Sequence, residues 1–418
     1  MVTDVRTITD DELLPWLEAA SAGFLDRLDH AALAAEVRPH WDLGRAWAAW
    51  QDARVVGTFR TWHTDLTVPG LRQVGATAVT GVTVLPTHRR QGILSALARA
   101  EAEAARERGE LVAILYASEY PIYGRFGYGP ATTTATWTLD ADRALFHGTI
   151  PDTGSVELLP PDGAGRDTAK AVFEAWRVQQ PGELWRRPIT WQTDFGTGGG
   201  AWGPPWKGFL AVHRDDAGAA DGYVRYHVEG KWTDRQPRSK AIVDDLHALT
   251  DDAYAALWRF LAAMDWVVTV EAPARRADER LCWLLVNARA ASVSEVGDGM
   301  WLKLLDVPGA LAARAYERPA KLTLEVLVRD GGTSGSDGQG ERVRVALDAG
   351  PHGVSARSTD ALPDLTLDGA ALGAAYLGGT RLRDAVLARG VDEHRSGALA
   401  ELDGALATER EPWASTFF

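Results

Sequence analysis

Residues 73–116 constrain the fold more than any other stretch of the chain. Gln73–Leu85 is rich in Val and Thr, as strands are, and Pro86 ends it by removing a backbone donor. Gly92–Arg108 then carries Leu94, Leu97 and Ala98 on one helical face and Glu101, Glu103, Arg106 and Arg108 on another. Gly109 supplies the left-handed residue that closes such a helix. Leu111–Tyr116 follows as a short buried strand. Strand, turn, helix and strand in this order predict an α/β arrangement. Ahead of it, Leu13, Leu14 and Leu17 give Asp10–Ala20 a helical spacing behind a Thr9 or Asp10 cap. Arg45–Trp50 and Val55–Thr61 read as strands about the turn Gln51-Asp52-Ala53. Tyr120–Pro130 reads as a loop and Ala131–Leu139 as a strand.

The chain has 418 residues, room for roughly two to four domains. From 151 to 299 the order echoes the first part. A helix (Asp167–Gln179) precedes strands at Phe209–His213, Tyr223–Val228 and Lys240–Ala248, a helix at Asp252–Met264 and a strand at Trp266–Glu271. Residues 300–418 have an α+β pattern: a strand at Trp301–Leu305, a helix at Pro308–Tyr316, four further strands, a Gly/Ser connection at Gly331–Gly340, and helices at Ala370–Leu377 and Leu382–Arg389. The divisions expected are therefore 1–150, 151–299 and 300–418.

With 44 Lys+Arg against 57 Asp+Glu the net charge is −13, which argues against a duplex nucleic-acid partner. The lone Cys282 can form neither an internal disulfide nor a cysteine zinc site. No basic, apolar leader precedes the first helix, and no run reaches the ~20 apolar residues of a membrane span. A reducing, cytoplasmic setting is expected. The ten His are scattered, so no metal site is predicted. Arg outnumbers Lys strongly and Ala and Gly abound, a composition expected of an actinobacterial source.

The stretch Val82-Thr83-Val84-Leu85-Pro86-Thr87-His88-Arg89-Arg90-Gln91-Gly92-Ile93-Leu94 carries the chemistry. A strand delivers a short turn to a helix start, whose free N–H groups and positive dipole end bind phosphate oxygens. Arg89 and Arg90 add guanidinium charge there. Arg-x-x-Gly-x-[Gly/Ala] resembles the pyrophosphate loop of the GNAT acetyltransferases, with Leu94 in the last position here. Taken alone, the pattern also fits a surface turn with two solvated arginines. By contrast Gly198–Gly203 spells G-x-G-x-x-G, but Pro204 and Pro205 follow and no strand precedes it, so it reads as a loop.

THRRQGIL, then ASEYPIYGRFGYGPA (117–131), then WLKLLDVPGALAARAY (301–316) together resemble the enhanced intracellular survival (Eis) family over the whole chain. The resemblance implies an active GNAT domain, a second GNAT-like domain without cofactor, and a sterol-carrier-protein-like C-terminal domain. It also implies a homo-hexamer that uses acetyl-CoA to acetylate a primary amine of aminoglycoside, polyamine or lysine type.

By the same resemblance Tyr123 is the general acid for the departing thiolate, and the carboxylate of Phe418 is the second catalytic group. A tyrosine pKa of ~10 lies near a thiol's ~8.5. Tyr123 also fits a packing aromatic in a Gly-rich loop. The backbone of Val82, Thr83 and Val84 would pair with the pantetheine arm. Arg89, Arg90, Gln91, Gly92, Ile93 and Leu94 would hold the pyrophosphate, with Ser118 on the cofactor side. Phe24, Asp26, Trp41 and Phe417 are candidates for the amine pocket, Phe24 being equally a core residue. Thr250-Asp251-Asp252 opens the corresponding helix of the second domain, where acids disfavour a pyrophosphate. The other reading is a lipid- or apolar-ligand-binding protein with a vestigial CoA site.

Overall fold

The computed structural model describes residues 3–150, 153–198, 204–329, 331, 340–384 and 391–418. Three main sheets organise it. The first has seven strands in the spatial order β1 (Asp4–Thr7), β2 (Ala46–Gln51), β3 (Arg54–Val68), β4 (Arg72–Val84), β5 (Val112–Tyr116), β16 (Met300–Leu304) and β6 (Gly129–Pro130). Asp52 and Ala53 have φ of 48° and 60°, so β2 and β3 join through a tight turn that matches strand twist. Helices α1 (Leu13–Phe24) and α2 (His30–Val37) cover one face and α3 (Ile93–Glu107) the other. Alternation along β2 sorts the faces: Ala46 and Ala48 pack toward α1, Ala49 toward α3. At the start of α1 the Thr9 N–H donates to the Glu12 carboxylate at 2.9 Å.

After β5 the chain makes one helical turn, α4 (Tyr120–Tyr123), and a 3₁₀ turn over Gly124–Phe126. The expected loop is thus helical, because Pro121 falls in the first turn, where its missing donor costs nothing.

The second sheet has the order β15 (Ala291–Asp298), β7 (Thr133–Asp140), β14 (Val267–Arg276), β13 (Ser239–Ala248), β10 (Ala220–Glu229), β9 (Phe209–Arg214) and β8 (Ser155–Leu159). A hairpin, β11 (Trp232–Thr233) with β12 (Gln236–Pro237), stands apart. Helices α5 (Gly163–Arg177) and α6 (Pro188–Asp194) cover one face, while α7 (Asp251–Ala262) and α8 (Leu281–Leu284) cover the other. The third sheet runs β19 (Gly353–Ser358), β18 (Glu341–Gly350), β17 (Ala320–Val328), β20 (Leu365–Asp368) and β21 (Val391–Glu393), with α9 (Val307–Ala313), α10 (Gly369–Ala375) and α11 (Ala398–Leu406). Of the Gly/Ser connection only Gly331 and Gly340 are described. Residues 199–203 of the glycine-rich run and 385–389 of the last expected helix lie outside the described residues.

Two strands sit in a sheet other than the one their place in the chain suggests. β7, from the first 150 residues, lies between β14 and β15 of the second sheet. β16, from the last division, lies between β5 and β6 of the first. β16 is buried at all its positions, so it needs a sheet neighbour on both edges. The third segment also has no separate core: Leu66, Ile114 and Leu302 of the first sheet form one apolar cluster with Leu324, Leu347, Leu372 and Leu402.

Candidate active site

The site is built where β4 and β5 part. Their parallel pairing ends at Ala78↔Ile114, yet β4 continues to Val84 on its β3 side alone. Gly81, at φ +59°, makes the bulge: the register shifts between Thr58 and Arg60, and the Thr58 hydroxyl donates to the Gly81 carbonyl at 2.8 Å. A β-carbon at Gly81 would stand 2.9 Å from the Trp16 ring, so glycine is required twice over. The main chain of Val82 and Val84 beyond the bulge suits an extended ligand added as a strand. Their side chains are half-buried against the α3-side core. Thr83 points to the other face, where its hydroxyl fills the space beside Gly23 of α1. Its side chain is a packing piece, leaving only its backbone for a cofactor.

Beyond Pro86 the chain turns through Arg90, at φ +63°, and Gly92, at φ +79°, into the fifteen residues of α3. A β-carbon on Gly92 would meet nothing within 4 Å. That open approach to the free N–H groups of the first turn is the shape a pyrophosphate needs. Arg89, Arg90 and Gln91 are exposed beside it. Ile93 is buried in the core and Leu94 half-buried, so both offer backbone amides while their side chains anchor the helix.

Ser118 is exposed just past β5. Tyr123, the last residue of α4, is half-buried, packs on the α3-side core and meets Tyr128 edge-on at 6.1 Å. Burial, with a smaller push from Glu119, raises its phenol to about 12. It therefore stays protonated at any working pH. It also stands above a thiol's ~8.5, so from this phenol complete transfer to a thiolate would be uphill, and hydrogen-bond donation is the chemistry open to it.

The C-terminal tail reaches the same opening. The Trp413 amide donates to the Pro181 carbonyl at 2.9 Å, and its indole N–H to the Ala274 carbonyl at 3.0 Å. The Ser415 amide and hydroxyl both donate to the Glu183 carboxylate at 2.7 Å. Arg186 donates to Ser415 Oγ at 2.7 Å and Thr416 Oγ1 at 3.0 Å while paired with Asp245 at 2.6 Å. Burial opposes the Arg186 charge, but the Asp245 carboxylate outweighs it and holds the group well above its ordinary range. Residues 180–187 are themselves tied to β3 through Glu183 O to the Thr67 amide (2.9 Å) and the Trp185 amide to Asp65 O (3.0 Å).

Tyr116, the last residue of β5, donates to the Thr416 carbonyl at 2.9 Å. The Phe418 ring stands edge-on to Trp62 at 4.7 Å and to Tyr116 at 5.1 Å. Phe417 leans on Tyr116 at 4.7 Å but stays 74% exposed.

Of the amine-pocket candidates, Phe24 and Asp26 lie exposed at the end of α1, so Phe24 is not a core residue. Trp41 is joined to the site: the Arg60 guanidinium lies 4.0 Å above its ring and 5.2 Å from that of Trp62, which carries Arg187 at 3.9 Å. The sequence reading missed Arg60, Trp62, Tyr116, Glu183, Arg186 and Arg187. Of these only Arg60 and Trp62 lie on β3, where they share a face with Thr58 and Thr64. Among the described residues no group of His, Cys, Asp or Glu could hold a metal ion. None of their helices is long and apolar enough to cross a membrane.

Comparison with known families agrees with this geometry. The acetyltransferase (GNAT) domain matches residues 4–131, a second acetyltransferase (GNAT) domain matches 178–304, and the sterol carrier protein domain matches 307–415. The chain is thus a tandem-GNAT N-acetyltransferase with a sterol-carrier-type C-terminal domain. An uncharacterized N-acetyltransferase of Streptomyces griseus is 39% identical over the full length of both chains. The N-acetyltransferase Eis of Mycobacterium tuberculosis is 35% identical over 85% of this chain and 84% of its own. The crystal structure of Eis1 from Mycobacterium abscessus superposes with a TM-score of 0.85 at 33% identity, covering 99% of this chain and all of that one. The chain belongs to the Eis family of GNAT N-acetyltransferases.

Proposed function

We propose that the chain transfers acetyl from acetyl-CoA to the primary amine of a small molecule, at the opening between β4 and β5. The observation that carries this reading is the start of α3. It combines an open approach at Gly92, two exposed arginines and an unpaired β4 edge leading from it to the bulge. Arg89, Arg90 and the amides of Gly92–Leu94 would hold the pyrophosphate, and the main chain of Val82 and Val84 the pantetheine arm. Acetyl-CoA supplies the activated acyl group. Tyr123 donates a hydrogen bond where thiolate charge develops. An alkyl ammonium has a pKa of ~10, so a proton must leave before attack. The terminal carboxylate of Phe418, directly or through a water, takes that role. In this reading the second GNAT domain binds no CoA, and the chain works as a homo-hexamer.

Thiol release from acetyl-CoA, followed across a panel of primary amines, tests this. Amine-dependent release with one acetylated product per thiol supports the reading, and release that ignores the amine overturns it. Sedimentation tests the assembly: a 45.2 kDa species at micromolar concentration sinks the hexamer.

A further inference from the structure

Arg60 and Arg187 are placed unlike any other pair of cations in the site. Arg60 is 8% exposed, held between the Trp41 and Trp62 rings. Arg187 lies over Trp62 with its Nε buried and without a hydrogen-bond partner among the described residues. Burial, then the like charge of Arg187, lowers Arg60 well below its ordinary range. Burial pushes Arg187 down to about 10. Among the described residues no carboxylate shifts either guanidinium.

Most other buried arginines here have acid partners. Arg186 has Asp245, Arg45 has Glu110 and Arg275 has Glu279. Cation–π contact offsets only part of the cost of burying charge.

The location gives the pair a task. Arg60 faces Thr80 across the β3–β4 ladder, and its Cβ would be 3.8 Å from a β-carbon on Gly81 at the bulge. Trp62 joins both guanidinium groups to Phe418 at the chain's end. A guanidinium is a planar, multiply donating group that suits an oxyanion, and two of them close by repel a second ammonium.

We propose that the acetyl acceptor is an amine that also carries an oxyanion, carboxylate or phosphate, which Arg60 and Arg187 bind beside Trp62. This rests on the acetyltransferase reading of the same site. It favours amino-acid-like amines over polyamines and other polycations.

The test compares amines that differ only in the anion. Lysine is set against cadaverine for a carboxylate, and phosphoethanolamine against ethanolamine for a phosphate. In the wild type the anionic member of one pair should have the higher kcat/KM, by about tenfold to a hundredfold. Which pair shows it tells carboxylate from phosphate. Arg187→Met and Arg60→Met should bring that ratio to about one or invert it, the ratio being the readout rather than either rate. Because Arg60 is buried, Arg60→Lys runs alongside, keeping the charge but losing the fork, with a melting curve for each variant. A wild type that prefers cadaverine and ethanolamine, or a ratio that survives both Met variants, overturns the proposal. Absence of turnover on every amine refutes the small-molecule-amine reading instead. Calorimetry of Nε-acetyl-lysine against N-acetylcadaverine still decides the anion site, since binding needs no catalysis.

Discussion

In the first sheet the parallel pair β4–β5 stops at Ala78↔Ile114, and the next helix starts behind Gly92. In the second, β13–β14 stops at Ile242↔Glu271, and the helix starts behind Thr250. Both openings have the same topology, but their contents differ. At Gly92 the backbone is left-handed and approachable, with arginines alongside. At Thr250 the side chain itself takes the Ala253 N–H at 3.1 Å, and Asp251 stands in the first turn, paired with Arg280 at 2.8 Å. The second opening is also occupied. The Trp413 indole enters it, bonded to Ala274, with the Arg275 guanidinium 5.0 Å from its ring and a cavity of about 520 Å³ beside it. One opening leaves an approachable helix start beside two exposed arginines, and the other grips the tail that runs on to the first. The few residues at the helix start, rather than the shared fold, decide which is which.

That contrast can be broken at several points. The largest effect is expected from appending residues after Phe418. Turnover should vanish while acetyl-CoA affinity, which the proposed function assigns to Gly92 and the arginines, stays within about twofold by calorimetry. An extended chain with full kcat would remove the terminal carboxylate from the mechanism. Next, Tyr123→Phe should lower kcat by about 10²–10³, the span of one lost hydrogen-bond donor to developing charge. A fall below tenfold in single-turnover assays would show the tyrosine to be mainly a packing group. Third, Arg89→Ala with Arg90→Ala should weaken acetyl-CoA binding by ~1.5–3 kcal/mol for each charged hydrogen bond lost, and an unchanged dissociation constant would show that the pyrophosphate docks elsewhere. The smallest effect belongs to the second opening. Thr250→Ala should cost ~1 kcal/mol of stability as a lost cap and leave acetyl-CoA affinity alone, so a change in that affinity would mean this opening also takes the cofactor.

The parts of the first site that were legible in the sequence are local. Pro86, Gly92, Gly109 and the apolar face of α3 each act within a few residues, so pattern alone locates them. Tyr123 and Phe418 stood out only through the family resemblance, and the structure adds their neighbours. The exchange of β7 and β16 left no local mark, because alternation says that a strand has two faces and not which sheet it joins. Arg187 was hidden for a similar reason. Its partners, Trp62 and Arg60, lie in a different domain, and nothing in Trp185-Arg186-Arg187-Pro188 announces which of the two arginines has an acid to pair with.

The exchanged strands also set an order of events during synthesis. Leu302 and Ile114 are paired neighbours about 190 residues apart in the chain. Until the ribosome has passed residue 304, β5 has an uncovered edge, a template for wrong partners. β14, in turn, is covered by a strand made long before it, β7. The second sheet has all its strands once residue 298 is made, whereas the first still waits for β16, so the unit begun first is the last to close, around a long-range strand pairing.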